Sequence, residues 1–219
     1  MDTKQRLGAA GILVGAWGLV LVAVLGIGWL LTYPLESTID PWDDDVARWL
    51  AGERTSYLNE VADVGTFFGD TLVGVAVAAV VCVAASMWER SIRPALFFAL
   101  ALAGVGGFYW FGTELVTRDR PPVRILDPGL VPNDSFPSGH VATAVAVYGG
   151  TALLVSWLAP RARPWIWLLL LIPALVALAR LYQGAHHPTD VLTSLLYTSA
   201  WLAVVAAVLL RRTDRAPHK

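Results

Sequence analysis

Ala179-Arg180-Leu181-Tyr182-Gln183-Gly184-Ala185-His186-His187-Pro188-Thr189-Asp190 lies between two strongly apolar runs, Trp165–Ala179 and Val191–Leu210. An arginine, two histidines and an aspartate collect where the chain leaves one hydrophobic run and enters the next. Charges at that depth are costly unless they are paired or line a wet cavity, which marks them as functional candidates. Pro188 suits the first turn of a helix and disfavours helix in the residue before it. His186 is therefore expected in a turn, with Asp190 in the first turn of the following helix. From there the carboxylate is expected to reach back to one nitrogen of the His186 imidazole and fix its tautomer. The other nitrogen is then left free to attack. Arg180, permanently charged and planar, suits a two-pronged grip on an anion.

Composition agrees with a chain built around apolar runs. Of 219 residues, 56% are hydrophobic and 15% charged, with ten tryptophans, and the mean hydropathy is +0.59. Soluble domains carry nearer a quarter charged residues. The net charge of −1 gives no reason to expect a nucleic acid partner. Cys82 is the single cysteine and lies within an apolar run, which excludes an intramolecular disulfide and suits a small packing residue.

Six spans follow, at about residues 10–33, 72–87, 94–112, 141–158, 165–182 and 191–210, several extending into their flanks to reach bilayer length. The first resembles a signal peptide at its start, with Lys4 and Arg6. It is longer than the usual ~7–15-residue apolar core and has no small-residue cleavage site, so a retained span is expected. Between the first two spans, residues 34–70 are acidic, and Val46, Leu50, Tyr57, Val61 and Val64 recur near helical spacing, which predicts one or two amphipathic helices. Asp43-Asp44-Asp45 reads as a solvated acidic cap at a helix start in preference to a metal site. Glycines such as Gly104, Gly106 and Gly107 suit close helix packing. The expected fold is an all-α integral membrane bundle of six helices, one domain over residues 1–219, with the amphipathic segment outside the membrane.

The basic residues set the topology. Lys4 and Arg6, Arg90 and Arg93, Arg161 and Arg163, and the tail residues Arg211, Arg212, Arg215 and Lys219 fall on alternate connections, which assigns that side to the cytoplasm. The acidic segment, residues 113–139 and residues 180–190 then share the outer face. Arg118, Arg120, Arg124 and Arg180 lie there against the charge rule, which points to something anionic.

On the same face stands Ser135-Phe136-Pro137-Ser138-Gly139-His140, directly before the fourth span. Pro137 suits helix initiation, so the amides of Ser138, Gly139 and His140 are expected to point outward from a positive helix end as an anion cradle. The Ser138 hydroxyl adds a donor, and His140 is placed to protonate a leaving oxygen.

These residues resemble the type-2 phosphatidate phosphatase and vanadium haloperoxidase superfamily. Its second signature, Pro-Ser-Gly-His, is complete at Pro137–His140. Its third is met at Arg180, His186 and Asp190, with Ala179 in place of a serine. Its first is met at Arg120-Pro121, with Thr113 in place of a lysine. The resemblance implies that His186 attacks phosphorus to form a phosphohistidine, that Asp190 orients it, and that His140 protonates the leaving oxygen and then activates water. Arg120, Arg180, Ser138 and Gly139 would neutralise the phosphoryl oxygens, with Arg118 the nearest substitute for the missing lysine. Arginines can supply the charge that phosphoryl transfer needs, so no metal or cofactor is called for. A zinc site from His140, His186, His187 and Asp190 is disfavoured by the adjacent arginines. His187 is expected to be a spacer or pocket wall, and His218 solvated. Arg124 and Asp127 are expected in loop stabilisation, with Arg124 a further anion contact as the alternative. Tyr109, Trp110 and Phe111 fit an interfacial aromatic belt.

The activity implied is hydrolysis of a lipid phosphomonoester or diphosphate (an isoprenyl diphosphate, phosphatidate or phosphatidylglycerol phosphate) at the outer face of a bacterial inner membrane. Two alternatives share the residues: a lipid phosphotransferase using the same site, and a weakened lipid-binding or transport homologue, motivated by Thr113 and Ala179. Oligomeric state is not legible.

Overall fold

The computed structural model describes residues 3–210. The basic tail and His218 lie outside them. Eight helices account for most of the described chain: α1 (Thr3–Thr32), α2 (Glu36–Gly52), α3 (Ser56–Gly69), α4 (Thr71–Glu89), α5 (Arg93–Leu115), α6 (Gly139–Leu158), α7 (Pro160–Tyr182) and α8 (Pro188–Leu209). Among the described residues there is no β-strand. Six of these helices (all but α2 and α3) are long and apolar enough to cross a membrane. This is the expected all-α integral membrane bundle, with the acidic segment folded into the two helices α2 and α3.

Local chemistry explains the helix boundaries. The Thr55 side chain accepts from the Leu58 amide at 3.2 Å and starts α3. Asp70 accepts from Leu72 and Val73 at 2.8 and 3.3 Å and starts α4, so one carboxylate ends the amphipathic segment and opens a span. Pro188 occupies the first turn of α8, where its missing N–H costs nothing, and Asp190 follows in that turn as expected. The fifth span departs from expectation by starting at Pro160, because Pro160 and Pro164 open short helical turns that lead into it.

α6 is the axis of the bundle. Residues over 78% of its apolar window are buried, against 6% for α1, which places α6 inside a ring of the other spans. Glycines let rings lie directly on the α5 backbone. A carbon added at Gly104 would stand 2.2 Å from Trp201 Nε1, one at Gly107 2.8 Å from Trp17 Cζ2, and one at Gly112 2.5 Å from Pro137 Cδ. Trp201 then donates to the Leu100 carbonyl at 3.0 Å and Trp17 to that of Gly104 at 3.2 Å, so the buried indole and the half-buried one are both satisfied. Phe108 fills the space between them, stacked on Trp17 at 5.3 Å.

α2, α3, the 116–138 connection and the 183–187 turn gather at one end of the bundle. α3 packs along α7, with Gly65 against Ala179 and Gly69 against Val176 and His140. Ala179, which stands where a serine was expected, is a close-packing residue: a carbon added at Gly65 would stand 2.8 Å from its Cβ.

Candidate active site

Two loops and two helix starts build the site. The 116–138 loop folds back on itself, with Arg118 N–H donating to Asn133, Arg120 N–H to Pro132 and Ser135 N–H to Arg118 at 3.0–3.1 Å. It is tied to the other loop where Leu126 N–H donates to the Gln183 carbonyl at 3.0 Å. That second loop turns at Gly184, whose φ of 71° favours glycine. Any Cβ there would also stand 2.6 Å from Val123. The turn swings His186 back under the 116–138 loop.

His186 is buried, and its Nδ1–H donates to the Ser135 carbonyl at 2.6 Å. A carbonyl can only accept, so the proton sits on Nδ1 and the neutral ring keeps its lone pair on Nε2. Burial, followed by the charges of Arg180 and Arg120, pushes the His186 pKa well below the ordinary histidine value, while the bond to Ser135 works the other way. His140, on the first turn of α6, is also near enough to act on that ring.

Asp190 does not touch the His186 imidazole, contrary to the sequence expectation. Its Oδ2 accepts from Ser135 Oγ at 2.6 Å and from the His187 amide at 3.0 Å, and its Oδ1 accepts from Arg118 at 2.5 Å. Capping its own helix start and pairing with Arg118 hold the carboxylate away from the ring. Ser135 stands between them, with its carbonyl on His186 and its hydroxyl on Asp190. Sequence reasoning quoted Ser135 but gave it no role, and only its place two residues before Pro137 signals it.

Arg118 is also corrected. It is buried, and its Nη1 and Nη2 donate to Asp190, to Thr189 at 2.7 Å, to Asp40 at 2.8 Å and to Asp43 at 2.9 Å, while Nε has no protein partner. Burial opposes its charge, yet these carboxylates outweigh burial and raise its pKa above the usual value. It holds protein carboxylates and does not replace the missing lysine. Asp43, expected in a solvated cap, is fully buried and accepts from both Arg118 and Thr189. Its neighbours are solvated, with Arg48 pairing to Asp44 and to the well-exposed Asp45, but all three aspartates lie in the middle of α2 and cap no helix start.

Arg180 contrasts with Arg118. It is fully buried and donates through Nη1 to Asp127 at 2.6 Å and to Gln183 Oε1 at 3.1 Å. Its Nε and Nη2 have no protein partner, and neither does the buried Ser138 hydroxyl. Gln183 is fixed from α3, accepting from Thr66 at 2.7 Å and donating to Asp63 at 2.9 Å, so it positions Arg180. Arg120 spends three donors on the carbonyls of Val131, Ala185 and Asp134. Burial and the nearby Arg180 charge lower its pKa, as expected of two guanidiniums brought close together.

The anion cradle is smaller than expected. Ser138 N–H donates to Ser194 Oγ at 2.8 Å and is spent within the protein. The amides of Gly139 and His140, in the first turn of α6, have no carbonyl one turn back to receive them. Asp127 proves to be the Arg180 counter-ion. Arg124 contributes its carbonyl, which accepts from Arg54 at 2.7 Å. His187 is buried, with Nε2–H donating to the Asp119 carbonyl at 3.2 Å. Among the described residues, no three His, Cys, Asp or Glu side chains form a metal-holding group.

Comparisons with known proteins bear on the family and the fold. A family model described as the PAP2 superfamily matches residues 94–214. Over 87 residues the chain is 39% identical to an undecaprenyl-diphosphatase of Sulfolobus acidocaldarius, a stretch covering 39% of this chain and 37% of that protein. The matched region therefore spans well under half of that relative. The crystal structure of a transmembrane PAP2 type phosphatidylglycerolphosphate phosphatase from Bacillus subtilis superposes with a TM-score of 0.75. It covers 87% of this chain and 94% of its own at 21% identity, a likeness of fold.

Proposed function

The chain belongs to the PAP2 superfamily, and from that premise we propose that it is a phosphatase that hydrolyses a phosphomonoester or diphosphate of a membrane lipid through a phosphohistidine. One observation carries the reading. Two buried Arg180 donors without a protein partner, Nε and Nη2, belong to a guanidinium close to a neutral imidazole whose Nε2 lone pair is free, and the unpartnered Ser138 hydroxyl stands two residues before His140. Buried donors of this kind cost free energy unless an acceptor-rich group meets them, and a phosphoryl group has such oxygens.

In this reading Nε2 of His186 attacks phosphorus as the bond to the leaving oxygen breaks. Arg180, Arg120, Ser138 Oγ and the Gly139 amide take the charge on the phosphoryl oxygens. His140 gives a proton to the leaving oxygen, then takes one from the water that cleaves the P–N bond. Ser135 keeps the proton on Nδ1, and Asp190, fixed by Arg118, holds Ser135. Arg118 is thus a positioning residue acting through Asp190.

The six spans make the protein integral to the membrane, and the site lies at one end of the bundle. The basic connections support an extracytoplasmic site on a bacterial inner membrane. A lipid head group can enter such a site while its chain stays in the bilayer. Candidate substrates are an isoprenyl diphosphate, phosphatidate and phosphatidylglycerol phosphate. Residues 1–219 act as one membrane-embedded unit, since α2 and α3 hold site residues in place.

The test is phosphate release from these lipids by purified protein in detergent with a chelator present, together with acid-labile labelling from a ³²P-lipid. Release and labelling that survive the chelator and vanish in His186→Ala are expected. Release that persists in His186→Ala would overturn the mechanism.

A further inference from the structure

The three consecutive aromatics Tyr109, Trp110 and Phe111 near the end of α5 make different contacts. Trp110 and Phe111 pack on each other at 4.7 Å, and Phe111 on Trp17 at 6.0 Å. Tyr109 is part-exposed and has a different neighbour. Its ring lies against Gly139, where an added carbon would stand 2.9 Å from Cε2, 3.1 Å from Cδ2 and 3.3 Å from Cζ. Gly139 therefore admits this ring beside the first turn of α6. The phenol is near enough to couple with both Arg120 and Arg180, the two guanidiniums assigned above to the phosphoryl group.

Thr113 lies one turn further along the same face of α5, where the superfamily pattern has a lysine. Its hydroxyl donates to its own helix, to the carbonyls of Tyr109 and Trp110 at 3.1 Å. Thr113 thus brings no donor to the pocket, and Arg118 is consumed by carboxylates. The remaining polar side chain on this face of α5 is the Tyr109 phenol.

We propose that Tyr109 is a substrate-contacting residue whose hydroxyl donates to a phosphate oxygen on the α5 side of the pocket, opposite the Arg180 donors. This deepens the phosphatase reading and rests on it for substrate class. The consequence is a pocket with a neutral donor where a cation was expected. It holds the phosphate less tightly than a lysine-bearing one, and its grip depends less on salt.

The experiment uses inorganic phosphate as probe with the full-length protein in detergent. Binding is measured by calorimetry, and competitive inhibition by lipid phosphate turnover. Tyr109→Phe keeps the ring on Gly139 and removes only the hydroxyl. It is expected to weaken phosphate binding and raise the inhibition constant about tenfold, while Trp110→Phe changes neither beyond about twofold. Unchanged phosphate affinity in Tyr109→Phe overturns the proposal, and so does equal weakening in Trp110→Phe, which would mark a structural effect. Tyr109-dependent binding by a wild-type protein that releases no phosphate from any lipid would sustain this contact and sink the phosphatase reading. Full lipid turnover with no effect of Tyr109→Phe would do the reverse.

Discussion

Two buried arginines at the same end of the bundle are treated in opposite ways. Arg118 meets Asp40, Asp43, Asp190 and Thr189 through its two Nη groups, so three carboxylates balance its charge and only Nε lacks a protein partner. Arg180 meets one carboxylate and one amide oxygen and keeps Nε and Nη2 without a protein partner. Surrounding a buried cation with carboxylates makes a structural joint. Leaving it part-paired makes a receptor, at a cost in stability that a bound anion offsets. The contrast teaches that partner count separates the two roles where residue type cannot.

Substitutions sharpen the contrast in order of size. His186→Ala removes the attacking nitrogen and is expected to lower kcat about 10⁴-fold or more, read in a single-turnover assay. Arg180→Ala should cost about 10³-fold in kcat/KM with little change in thermal stability, because Asp127 is part-exposed and can be rehydrated. Arg118→Met should reverse that balance. It strands the fully buried Asp43 and Asp190, and a loss of about 3–5 kcal/mol in stability is expected, with activity failing as the fold does. Equal melting temperatures for the two arginine variants would break the comparison.

Acidity provides a gentler probe. The folded His186 pKa is lowered, so below the ordinary value of 6.5 the unfolded chain binds a proton that the folded one refuses. Stability is therefore expected to fall as pH drops through that value, and His186→Asn should flatten this part of the profile. Ser135→Ala removes the hydroxyl to Asp190 but keeps the carbonyl on His186, so a kcat loss of about tenfold is expected with KM unchanged. Smallest of all, Arg48→Ala breaks an exposed pair with Asp44 and Asp45 and should shift the melting temperature by about 1 °C or less.

The spans were legible because bilayer-length apolar runs report on the membrane directly. His140, His186, Arg120 and Arg180 stand out as candidates in the sequence because their signatures are local. What escaped was pairing across distance. Arg118 looked free because its partners Asp40 and Asp43 lie 75 residues or more away in the chain. Asp190 looked like the partner of His186 because spacing along one helix start cannot reveal that Ser135, from another loop, takes both. Asp43 shows the same blindness: three consecutive aspartates read alike, while the helix buries one and exposes another.

The Arg118 joint also bears on how this protein can be recombined. The family match begins at residue 94, yet two of the carboxylates that lock Arg118, and through it Asp190, come from α2. The shared stretch is therefore not a portable cassette. Grafted onto the amino-terminal half of a relative, it would work only if that half carried acids at the matching helical positions. Compatibility between such halves should therefore follow the charge of two residues more closely than overall likeness.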